Sequence, residues 1–177
     1  MYKAAIISVV CALFSVNAMA ESIKLEVSPL KYMKYGLNKS FNHLLGKSQH
    51  SYLQSMPTVF TDCDSEGGLQ IDYSNTYSDP KQPTKSNSIT LDLSGTFVED
   101  AALQGLKIQV SVSGTPLYQN EYVRQKKYQA GDEYKDSITW YVPGFAPDGE
   151  YEIQITLHDK STPTPVNFAC VSAKFIF

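Results

Sequence analysis

The chain has 177 residues, 42% of them apolar or aromatic, and carries 15 Lys and Arg against 18 Asp and Glu, a formal net charge of −3. The charge is uneven: residues 21–56 hold five lysines against Glu21 and Glu26, whereas residues 57–177 hold nine basic against sixteen acidic side chains. An acidic body lacks the clustered basic face a nucleic acid needs, and its length fits one domain with a real core rather than two.

Lys3, the apolar stretch from Ala4 to Val16 and the small-residue pattern Ala18-Met19-Ala20 have the charge, core and cleavage site of a secretory signal. Residues 1–20 are therefore expected to be removed before Glu21. The apolar run is shorter than the ~20 residues a membrane-spanning helix requires. The expected location is outside the cell or in a vacuolar or lysosomal lumen, a route that the sequon Asn38-Lys39-Ser40 also fits. Residues 21–56 are rich in Ser, Asn, Lys and Tyr, keep no sustained period and run into Pro57, so they read as an N-terminal arm or propeptide outside the fold. Leu37, Phe41, Leu44 and Leu45 would share one face of a short helix there, laid on the body.

Residues 57–177 form the expected sandwich domain, and from Asp62 onward the period is two. Leu69, Ile71 and Tyr73 alternate with polar residues; so do Ile89, Leu91 and Leu93 on the way to Phe97, and Leu106, Ile108, Val110 and Val112. The pattern returns in residues 117–123 and 138–142, in Tyr151-Ile153-Ile155-Leu157, and in the run from Phe168 to Phe177. Turn residues separate these stretches at Ser78-Asp79-Pro80, Ser113-Gly114-Thr115-Pro116, Pro143-Gly144, Pro147-Asp148-Gly149 and Thr162-Pro163-Thr164-Pro165. About seven short strands and no convincing helix predict an all-β, antiparallel sandwich of two sheets.

Of the three cysteines, Cys11 lies in the signal, which leaves Cys63 and Cys170 as one even pair bracketing the strand region. A disulfide there would tie the first predicted strand to the last. Closing a loop of roughly 100 residues is worth about 4.7 kcal/mol in the chain-entropy account.

Several local patterns resemble the ML lipid-recognition domain family. They are Thr61-Asp62-Cys63, Ile89-Thr90-Leu91-Asp92-Leu93-Ser94-Gly95, Tyr141-Val142-Pro143 followed by Ala146-Pro147-Asp148-Gly149-Glu150-Tyr151, and Phe168-Ala169-Cys170-Val171. Their order and spacing over residues 60–177 are most similar to phosphatidylglycerol/phosphatidylinositol transfer proteins, with the Niemann-Pick sterol carrier more distant. The resemblance implies an immunoglobulin-like sandwich with an internal lipid cavity, a Cys63–Cys170 bridge, and a phospholipid or sterol ligand moved between membranes or partners by a monomer with no cofactor. It places the cavity mouth at Val142, Pro143, Phe145 and around Tyr118. The cysteines of two further disulfides in the sterol carrier are not present here.

Residues on alternating positions or adjacent turns that could line such a cavity are Phe97, Ile108, Val110, Tyr118, Trp140, Val142, Pro143, Phe145, Ile153, Ile155 and Leu157. Any sandwich of this size needs about as many inward residues to fill its core. Arg124, Lys126 and Lys127, interleaved with Tyr122 and Tyr128, form a basic patch on an acidic body that could touch an anionic membrane surface. The competing account is an immunoglobulin-like recognition or adhesion module with a filled core and its function on the loops.

Enzymatic chemistry has little to stand on. The chain has no G-x-S-x-G elbow, and His43, His50 and His158 are scattered. Asp62, Asp64 and Glu66 start like a calcium loop, but the twelfth position is Tyr73 where a bidentate Glu is needed. No metal site is expected.

Overall fold

Alternating apolar and polar residues can bury one face of an extended chain only against a second sheet, and the structure, a computed structural model, follows that rule. It describes residues 23–25, 56–63, 65–159 and 166–177. The expected signal, the sequon, the helix over residues 37–53 and the turn at residues 162–165 lie outside them. The strands are β1 (Ile23–Leu25), β2 (Met56–Asp62), β3 (Leu69–Ile71), β4 (Tyr77–Asp79), β5 (Ser88–Phe97), β6 (Ala101–Val112), β7 (Thr115–Tyr128), β8 (Glu133–Tyr141), β9 (Glu150–Asp159) and β10 (Val166–Ile176). One sheet runs β1-β8-β5-β3, with β4 also on β5; the other runs β2-β10-β9-β6-β7.

The sandwich is thus as expected in class but has ten strands among the described residues rather than about seven. The three additions gave no periodic signal: β1 and β4 are three residues long, and β2 is largely exposed on both faces. β1 is also the exception to antiparallel pairing, because it lies parallel to β8, with Ile23 opposite Ile138 and Leu25 opposite Trp140. Ile23 and Leu25 are buried in the common core. Part of the stretch expected to be an arm is therefore an edge strand of the first sheet.

The inward positions match the period-two pattern. Leu91, Leu93 and Ile138 from one sheet face Leu106, Ile108, Val110, Ile153, Ile155, Leu157 and Val171 from the other. Aromatic rings close both ends of this aliphatic middle. At one end Phe97 stacks on Tyr128 with ring centroids 4.2 Å apart, and Tyr134 and Phe168 meet it edge-on. At the other, Trp140 and Phe175 pack on Tyr151, with Phe177 behind them. Offset and edge-on ring pairs of this kind add about 0.5–1.5 kcal/mol each beyond their buried area.

The two sheets approach one another unevenly. Their main chains come within 8 Å where β10 passes β3 and where β2 passes β4. On that side a backbone hydrogen bond clasps the sheets directly, from Thr58 N–H on β2 to the Lys81 carbonyl just past β4, at 2.9 Å. Along the other side, where β7 faces β8, the four-residue connection 129–132 joins the sheets at the Tyr128 end, its backbone hydrogen-bonded to Phe97, and side chains make the rest of the crossing.

Candidate functional site: the space between the sheets

The disulfide joins Cys63 to Cys170 with their Cα atoms 5.0 Å apart. Cys63 follows the end of β2, and Cys170 lies on the neighbouring β10, where Asp62 pairs with Val171. The bridge is confined to one sheet. It fixes β2 to β10 and leaves the distance between the sheets uncontrolled.

Of the residues expected to line a cavity, the structure brings Phe97, Ile108, Val110, Trp140, Val142, Ile153, Ile155 and Leu157 together in one buried cluster. They are 0–1% exposed, so water does not reach them in this conformation. Tyr118 stands half-buried on β7, and its hydroxyl is hydrogen-bonded to that of Tyr122. Pro143 is half-buried, and Phe145 is 59% exposed on the connection between β8 and β9. That connection lies over the Trp140 end of the core, because Val142 exchanges backbone hydrogen bonds with Ser86 and Asn87 just before β5.

The basic patch divides. Gln125 takes a left-handed backbone conformation at φ 33°, and the ladder between β6 and β7 shifts register between Leu103 and Gly105. Arg124 lies just before that break on the same face as Tyr118 and Tyr122, and its Nε donates to Asp136 Oδ2 at 3.2 Å; the two side chains are 18% and 6% exposed. Asp136 projects from the inward face of β8, between Tyr134 and Ile138, and also accepts from the Tyr134 hydroxyl at 3.2 Å. Burial, then the neighbouring Asp136 charge, pushes the Tyr134 phenol well above its usual pKa, so it stays protonated and donates. Removing one partner from such a buried pair costs about 3–5 kcal/mol. Lys126 and Lys127 remain exposed, with the Lys126 ammonium 4.6 Å from the centre of the Tyr128 ring. Eight residues of strand, roughly 26 Å, separate them from Tyr118. The expected mouth and the expected docking patch therefore lie near opposite ends of the sandwich.

The polar features outside the gap form grooves. One of about 510 Å³ runs over the outer face of β5 and β8, lined by Asp72, Tyr77, Asp92 and Lys135. Another of similar size lies on the opposite outer face, beside Lys107, Glu121 and His158. There His158 is buried against Gly105, with its Nε2 3.2 Å from Glu121 Oε1. Among the described residues no three His, Cys, Asp or Glu side chains are grouped to hold a metal ion.

What the fold and the gap define is a two-sheet β-sandwich clasped along one side. No protein-family model matches the chain, and no curated protein matches it. Among solved structures, a Niemann-Pick type C2 protein from the Japanese carpenter ant is similar over 66% of this chain and 96% of its own, at 14% identity and a TM-score of 0.45. Chicken MD-1 complexed with lipid IVa is similar over 70% of this chain and 97% of its own, at 10% identity and a TM-score of 0.41.

Proposed function

We propose that this protein binds one lipid, a phospholipid or a sterol, between its two sheets and passes it between membranes. The observation that carries this reading is the asymmetry of the sandwich. A backbone hydrogen bond and close main-chain approach hold the β2 and β4 side, the 129–132 connection joins the other side at its Tyr128 end with side chains bridging the rest, and the only disulfide among the described residues lies within a single sheet. Parting the sheets at the Tyr118 and Trp140 end of that side breaks no strand ladder, leaves the disulfide intact and need not separate Arg124 from Asp136, which lie toward the joined end. It uncovers two facing aliphatic surfaces. A sixteen-carbon chain costs on the order of 13 kcal/mol to place in water, so a carrier must supply a dry surface of that kind. The resemblance of residues 60–177 to the ML pattern supports the same reading.

Exposed Lys126 and Lys127 would meet an anionic headgroup layer, at about 1 kcal/mol per cation, while Arg124 stays with Asp136. A bridged pair of cysteines suits the oxidising compartments of the secretory route.

A second reading, a recognition module with a filled core, is favoured by the complete burial of Ile108, Val110, Ile153 and Ile155. Extraction of the purified protein followed by mass spectrometry separates the two. One acyl lipid or sterol per chain supports the carrier; an apo protein that takes up no fluorescent lipid from vesicles rejects it.

A further inference from the structure

Trp140 is the chain's single tryptophan, and it carries an anomaly. Its indole N–H is buried and has no hydrogen-bond acceptor. Buried donors are nearly always paired, because a donor taken from water and given nothing in return weighs against the folded state. A phenylalanine on the same inward position of β8 would fill much of this space without burying a donor. The indole sits where the aliphatic middle of the core meets the aromatic end, with Tyr151 and Phe175 centroids 5.8 and 6.3 Å away. Immediately beyond it the chain leaves the sheet through Val142 and Pro143 to the exposed Phe145.

We propose that the Trp140 indole N–H is the hydrogen-bond donor for the carbonyl of an ester-linked acyl lipid. The proposal rests on the reading that a lipid occupies the gap between the sheets. A tail lying along Leu91, Ile138, Ile108 and Ile155 lies against hydrocarbon; toward Tyr134 the inward polar groups Arg124, Tyr134 and Asp136 bond one another, whereas toward the other end the indole N–H has no acceptor. An acyl ester has its carbonyl where the tail ends and the head begins. The tail then runs inward, the carbonyl accepts from Trp140, and the headgroup emerges past Pro143 and Phe145. An alkyl chain joined by an ether has no carbonyl to offer the indole. The site therefore distinguishes acyl from alkyl linkage whatever the headgroup.

The test compares two phosphatidylcholines with the same chains, one with ester and one with ether linkages, titrated into the wild-type protein and Trp140→Phe. The wild type binds the ester lipid roughly fivefold to tenfold more tightly, the worth of about one hydrogen bond, and Trp140→Phe binds the two within about twofold. Equal affinity of the wild type for both lipids overturns the proposal, as does a preference that survives in Trp140→Phe. Binding of neither lipid by the wild type removes the carrier reading itself, so the two failures are distinct. Because Trp140 is the only tryptophan, bromine quenching provides a readout that does not depend on a variant. Ester lipids brominated near the carbonyl quench its fluorescence more than those brominated near the methyl end; the reverse order overturns the proposal.

Discussion

Removing the Cys63–Cys170 bridge separates stability from function in this fold. The cysteines are 107 residues apart, so the Cys63→Ala/Cys170→Ala double variant releases almost the whole sandwich from one closed loop. The chain-entropy account gives about 4.7 kcal/mol for a loop of roughly 100 residues. Little else replaces it, because β2 pairs only with β10 and exposes most of its side chains to solvent. A loss of about 3–5 kcal/mol is expected. At about 2 kcal/mol per molar urea for a chain of this size, the unfolding midpoint falls by about 2 M. Lipid uptake per folded molecule should not change, since both sulfurs belong to one sheet. Urea titration followed by Trp140 fluorescence gives the first quantity, and uptake of fluorescent lipid well below the midpoint gives the second. A shift below ~0.5 M would refute the loop argument. Faster or abolished uptake by protein that is still folded would show that the bridge governs the gap, against the geometry described above.

Gly105→Ala places a Cβ 2.8 Å from His158 Cε1 and 3.3 Å from the Tyr122 carbonyl, so the buried imidazole has to move; a loss of about 1–3 kcal/mol is expected in thermal melts, and less than additive loss in combination with His158→Ala. Phe145→Ser truncates a ring that is 59% exposed and should slow lipid uptake from vesicles severalfold, compared at temperatures where both proteins are folded; unchanged uptake removes Phe145 from the mouth. At Glu152 partial burial acts to raise the carboxyl pKa, but hydrogen bonds from Ser172 and Gln154 and the Lys174 charge outweigh it and hold the pKa below the ordinary 4.5. The native state therefore binds its proton less readily than the unfolded chain. The contribution, less than about 1 kcal/mol for a half-buried, solvent-screened site, is complete above pH 4.5 and is lost as the pH falls through the lowered native value. Glu152→Gln should flatten that acid limb in melts recorded from pH 6 to pH 3.

The strands with a sustained period of two were legible in the sequence because each buries one face: Ile89 to Phe97, Leu106 to Val112 and Tyr151 to Leu157 all became strands with those residues inward. β1 was not, since three residues carry no measurable period and its partner β8 lies more than a hundred positions away. The basic cluster was legible as a composition but not as a geometry. Arg124 shares the inward face of β7 with Tyr122 and meets Asp136, whereas Lys126, past the irregularity at Gln125, stays exposed, and alternation alone does not reveal such a break. Nor does a sequence show that the Trp140 indole lacks an acceptor, since hydrogen-bond partners come from tertiary placement.

The parallel strand β1 also bears on the order of assembly. Ile23–Leu25 has β8 as its partner, and no site for it exists until residues 133–141 have been made and paired with β5. The earliest of the described residues to be synthesised is thus among the last to find its place. Pulsed hydrogen exchange during refolding should find the amides of residues 23–25 protected after those of β5 and β8. Until then a nascent chain would present the bare outer rim of β8, a ready template for a strand from another molecule.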